Sequence, residues 1–120
     1  MADKIIAEKT ATGVKPIPEG YHTVTSYLTI RDAKKAMEFY EKAFGATNRG
    51  SLTGPDGKVM HGEIKIGDTV IMICDEIPQF GHLGPQSRGG NTSSLLIYTD
   101  KVDEDFDRAV KAGCTVKQPL

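Results

Sequence analysis

The sequence predicts an α+β domain built from two βαβββ units, the second unfinished. Three observations predict it. The hydrophobic period switches between two and 3.6 along the chain; turn residues fall at the switches; and a set of landmark residues recurs at one constant offset. Length and composition agree: 120 residues, 38% hydrophobic and 26% charged, suit one globular domain with its own core. Fifteen Lys and Arg against sixteen Asp and Glu leave a formal charge of -1, which gives no global field for binding a nucleic acid. No apolar run approaches the roughly 20 residues of a membrane span, and the amino end carries no apolar centre of a secretory signal. Cys74 and Cys114 lack CxxC spacing and fit buried thiols in a reducing compartment, so a cytoplasmic protein is expected.

Residues 1–20 mix charged and small residues and end in Lys15-Pro16-Ile17-Pro18, where two prolines block a regular element. They are expected to form an N-terminal arm. Residues 21–30, YHTVTSYLTI, are β-branched and aromatic without a breaker and predict a strand. Asp32 is placed to cap a helix whose apolar stripe is Ala33, Ala36, Met37, Tyr40, Ala43 and Phe44, and Gly45 supplies its left-handed end. The period then returns to two. Strands are expected over 46–52, 59–66 and 69–74, joined by Gly54-Pro55-Asp56-Gly57 and by Gly67-Asp68. Residues 75–90, rich in proline and glycine, read as a long linker.

After the linker the order repeats. A strand over 92–99, a cap at Asp100, a helix marked by Val102, Phe106, Ala109 and Val110, a terminating Gly113 and a strand from Cys114 are expected. Leu28, Asp32, Gly45 and Thr47 recur at one offset as Leu96, Asp100, Gly113 and Thr115, and the apolar helix positions match slightly better one residue further on. Leu120 is the counterpart of Leu52, so the second copy has no equivalent of the hairpin that follows Leu52. An open sheet edge is normally covered or paired. Two readings follow: a truncated sequence, or a hairpin replaced by a subunit partner.

The segments YHTVTSYLTIRDAKKAMEFYEKAFGA, GPDGKVMHGEIKIGD, VIMICDE and PQSRGGNTSSLLIY, taken in this order, resemble the PhnB-like subgroup of the vicinal oxygen chelate, or glyoxalase/bleomycin resistance/dioxygenase, superfamily. The resemblance covers residues 21–120. It implies a domain over 21–120 divided into module one (21–76), a linker (77–91) and an incomplete module two (92–120). It also implies sheets that curl around a shared cavity with helices outside, and a homodimer. Under that arrangement Leu28, Ile30, Ile64, Ile66, Ile71, Ile73, Leu95 and Ile97 face the helices. The opposite parity, with Thr25, Tyr27, His61, Glu63, Val70, Met72, Cys74, Ser94, Leu96 and Tyr98, faces inward, a mixed set that suits an organic ligand.

Metal-dependent members of the superfamily carry ligands at positions that align with Thr25, Met72 and Ser94, a fourth lying on the absent hairpin. Hydroxyls and a thioether are poor substitutes for imidazole and carboxylate at such a centre. No superfamily-type metal and no other cofactor is therefore expected, a divalent ion remaining open through strands beyond Leu120. His61 and Glu63, two apart on one strand, either form a solvated or dimer-facing strand face or act together in acid–base chemistry. His22 reads as an edge residue and His82 as a loop residue. Gly89-Gly90-Asn91-Thr92 lacks a phosphate-cradling GxxxxGK[ST], and Ser93-Ser94 lacks a GxSxG elbow. The expected function is small-molecule binding through Thr25, Tyr27, Met72, Ser94 and Tyr98. The alternative is a lyase, isomerase or transferase in which His61 and Glu63 are catalytic, or in which a metal is completed by further strands.

Overall fold

The computed structural model describes residues 13–120. Most of the arm expected over 1–20 thus lies outside the described residues, and residues 13–20 within it are exposed and irregular. The chain then forms β1 (Tyr27–Thr29), α1 (Ala33–Phe44), β2 (Thr47–Thr53), β3 (Val59–Ile66) and β4 (Thr69–Cys74), followed by a 3₁₀ turn (Pro78–Phe80), α2 (Pro85–Arg88) and α3 (Val102–Ala112). The four strands make one sheet in the order β1-β4-β3-β2, with β1 parallel to β4 and the other pairs antiparallel. This is a single βαβββ module, followed by the helix of a second.

The α1 ends follow from two residues. The Asp32 side chain accepts from Lys35 N at 3.4 Å, and Gly45 takes φ 65°, where its N–H reaches Glu41 O and Tyr40 O. The helix buries Ala33 and Met37 against one face of the sheet, where Ala46, Val59, Ile64, Ile71 and Ile73 complete the core and Leu28, Ile30, Tyr40 and Ile66 pack around it. The alternation read from the sequence therefore holds through β1, β4 and β3 from His61 onward, while Val59 joins the core across a register slip at the start of β3. Gly62 permits the close approach of helix and sheet, because a Cβ there would stand 2.9 Å from Met37 Sδ. Asp75 locks the module. Its buried carboxylate accepts from Ala33 N at 3.0 Å and from Val59 N at 2.7 Å, joining the first turn of α1 to the start of β3.

Several expected elements are shorter or absent. The strand expected over 21–30 is reduced to Tyr27–Thr29, because only Met72, Ile73 and Cys74 of β4 stand opposite as ladder partners. The strands expected over 92–99 and from Cys114 do not form. A strand is stable only when its N–H and C=O groups have a neighbouring ladder, and no residues of the 120 correspond to β3 and β4 in this second copy. Leu95 and Ile97 accordingly remain exposed. Asp100 does not cap α3: Lys101 precedes the helix, its N–H held by Thr99 Oγ1 at 3.1 Å. Gly113 ends α3 at φ 119°. The linker over 75–90 is not wholly irregular, since prolines start the 3₁₀ turn and α2. Glu76 accepts from Gly84 N at 2.7 Å, and Arg31 reaches Ser87 Oγ at 2.8 Å, tying this segment to the loop after β1.

Candidate functional site

The register of the sheet assembles a polar row on the face opposite α1. Met72 on β4 stands opposite both Tyr27 on β1 and Glu63 on β3, so all three side chains share that face. His61, two residues before Glu63, joins them. Its ring Nδ1 lies 3.1 Å from Tyr27 Oη and its Nε2 lies 3.0 Å from Glu63 Oε2. The Tyr27 and His61 rings are tilted at 56° with centroids 5.7 Å apart. The other oxygen of Glu63 accepts from the Tyr21 hydroxyl at 2.5 Å and faces Arg49 Nε at 3.6 Å, while the Arg49 guanidinium sits 5.7 Å from the centre of the Tyr21 ring. A continuous chain of polar contacts thus runs from Tyr27 through His61 and Glu63 to Tyr21 and Arg49. Half-buried Met72 and buried Cys74, whose Sγ lies 3.7 Å from Thr29 Oγ1, give the same face an apolar, polarisable part.

The surroundings tune these groups. Burial alone would raise the Glu63 carboxyl, but the hydrogen bonds from Tyr21 and His61 and the positive charge of Arg49 outweigh it and hold the group below its ordinary 4.5. Donating to that carboxylate raises the Tyr21 phenol, with burial and the carboxylate charge adding to the effect. Burial first, then the proximity of Cys74 and Glu63, pushes the Tyr27 phenol up to about 12. At neutral pH the row therefore holds one carboxylate and two neutral phenols, with the imidazole between them.

Of the residues expected at a site, Tyr27, His61, Glu63 and Met72 come together. Thr25 is half-buried just ahead of β1. Ser94 and Tyr98 lie in the unpaired segment before α3, with Tyr98 93% exposed, and take no part in the network. Tyr21 and Arg49 belong to it and were not anticipated. Tyr21 shares odd parity with Thr25 and Tyr27, a usable signal. Arg49 sits where the β2 register slips between Asn48 and Ser51, so alternation could not assign its face.

Among the described residues no group of three or more His, Cys, Asp or Glu could hold a metal ion. The hydroxyl of Thr25 and the thioether of Met72 do not fit a superfamily-type metal, and both Glu63 oxygens already have protein partners. No described helix is long and apolar enough to cross a membrane. A separate hollow of about 740 Å³ lies between α3 and its flanks, lined by Leu95, Ile97, Phe106, Ala109, Val110 and Val116 among others. Its lining is mostly apolar, with Thr115, Lys117 and Gln118 at its polar part, and shares no residue with the polar row.

A strand–helix–three-strand module with α1 on one face of the sheet and a mixed polar and apolar row on the other is the arrangement of a small-molecule-binding fold. Residues 20–120 match the model of the Glyoxalase/Bleomycin resistance protein/Dioxygenase superfamily, and the chain belongs to that superfamily. It is 36% identical over 100 residues to Mb0911c of Mycobacterium bovis, an alignment that covers 81% of this chain and 66% of the relative. The chain thus spans just under two thirds of that relative's length. Its fold is shared with the product of Arabidopsis thaliana At5g48480, at TM-score 0.64 and 20% identity over 83% of this chain and 80% of that one. It is also shared with the PhnB protein of Bacillus cereus, at TM-score 0.55 and 18% identity over 76% of this chain and 72% of that one.

Proposed function

We propose that the sheet face carrying Tyr27, His61, Glu63 and Met72 binds a small organic molecule, without a metal at the positions used by metal-dependent relatives. The single observation behind this reading is the Tyr27–His61–Glu63 row, fixed on three hydrogen-bonded strands beside a thioether and a thiol. Polar groups held by a rigid sheet can orient a ligand, and the soft residues beside them supply contact area. Thr25 extends the face at one end. Ser94 and Tyr98 complete its other wall once a second module, from residue 92 onward, acquires sheet partners. In this proposal the protein works as a cytoplasmic homodimer, a state favoured by its two free cysteines and by the apolar surface left exposed around α3.

A second reading, an acid–base enzyme of lyase, isomerase or transferase type, is favoured by one distance. The 3.0 Å contact between His61 Nε2 and Glu63 Oε2 is the orienting contact that a proton-transferring imidazole needs. Metal analysis tests the main proposal. Protein purified without chelator is expected to carry far less than one transition-metal ion per chain; a stoichiometric ion that survives dialysis overturns it. For the enzyme reading, His61→Ala and Glu63→Gln should each abolish turnover of an identified substrate. Unchanged turnover in both removes that reading.

A further inference from the structure

The polar row determines which proton sits where, and so what the face offers a ligand. Glu63 is ionised and can only accept hydrogen bonds. Its Oε1 is taken by the Tyr21 hydroxyl and by Arg49, and its Oε2 meets His61 Nε2 at 3.0 Å. In the neutral form of the His61 ring Nε2 is therefore the protonated nitrogen, since a carboxylate can only accept. The ring Nδ1 is then the acceptor, and the partner 3.1 Å away is the Tyr27 hydroxyl. That hydroxyl has a single hydrogen, which is committed to Nδ1.

Resting on the binding reading above, we infer that Tyr21 and Arg49 act as positioning residues that fix Glu63, and through it the Nε2–H tautomer of His61, so that Tyr27 presents only its oxygen lone pairs to the open face. The ligand class follows. The face selects an apolar or aromatic body that carries a hydrogen-bond donor, an O–H or N–H, directed at the Tyr27 oxygen. A molecule whose polar group only accepts would have to take the Tyr27 proton from His61 and leave Nδ1 without a partner on a half-buried face, which is unfavourable. Met72 and Cys74, next to Tyr27 on the sheet, supply the soft contact surface for the body.

Two measurements test the inference. The first needs no ligand. Side-chain ¹⁵N spectra of the 120-residue chain, recorded on the alkaline plateau of the His61 titration, should show a pyridine-type Nδ1 and a protonated Nε2. An Nδ1–H tautomer overturns the inference while leaving binding at this face intact. Arg49→Met and Tyr21→Phe should each shift His61 toward a mixture of tautomers, and Arg49→Lys should restore the single form; unchanged spectra in both single variants reject their positioning role. The second measurement uses phenol and anisole as probes, followed by shifts at His61 and Tyr27. Phenol should bind about three- to tenfold more tightly than anisole, the worth of one neutral hydrogen bond, and Tyr27→Phe should erase the difference. Equal responses to the two probes, including none, remove the donor selectivity. A stoichiometric metal would instead sink the binding proposal, so the two failures are distinguishable.

Discussion

The two copies of the repeat meet opposite fates. In the first, Ile64 and Ile73 are fully buried beneath α1; in the second, Leu96 is 74% and Tyr98 93% exposed. Local preference does not explain the contrast, because SSLLIYT over 93–99 is as rich in strand-forming residues as SYLT over 26–29. The helices fare equally well. α3 forms, ends on its glycine and docks on α1, where Arg108 Nε donates to Ala43 O at 3.3 Å and Phe39 lies 3.8 Å from where a Gly113 Cβ would be. A helix satisfies its own backbone, whereas a strand depends on a neighbour. The second copy retains the element that needs no partner and loses the elements that do.

The largest expected effect sharpens this comparison. Ile73→Ala removes a fully buried side chain from the module core and should destabilise the protein by about 3–4 kcal/mol. Leu96→Ala, on the unpaired segment, should change stability by less than about 0.5 kcal/mol. Urea unfolding of both variants measures the difference, and comparable losses would mean that the second segment is packed in solution. Next in size is Asp75. Asp75→Ala leaves the amides of Ala33 and Val59 buried without acceptors and should cost about 2–3 kcal/mol, while Asp75→Asn, which keeps one acceptor oxygen, should cost about half as much. Equal losses in the two variants would show that the carboxylate charge, and not the paired acceptance, matters.

How much could be read from the residues depended on the range of the interaction that decides each element. β3 and β4 appear with the expected limits, and α1 runs from its Asp32 cap to Gly45, because turn chemistry and period are local. The length of β1 was not legible, since it is set by how much of β4 stands opposite. The same division holds for the site. His61 and Glu63 share a face by simple alternation, and Tyr27 joins them by register. Arg49 is hidden by a bulge that breaks alternation, and Asp75 passed as the first linker residue because nothing local tells a carboxylate that closes a module from one in solvent.

The smallest effects concern charge. The Glu63 carboxyl titrates below its ordinary value in the folded chain, so it contributes stability that is fully present above 4.5 and is lost as pH falls through the depressed folded value. Glu63→Gln should therefore flatten the acid limb of a stability-against-pH curve, and Tyr21→Phe should flatten it in part by removing one donor to the carboxylate. The second copy offers a contrasting ion pair on a helix, Asp105–Arg108, 3.2 Å apart across one helical turn and 33% and 44% exposed. Such a pair is screened by water and salt, so Asp105→Asn should alter stability at neutral pH by no more than about 0.5 kcal/mol. A steep loss there would mean that α3 is held by charge; a flat response means that its apolar face against α1 already suffices.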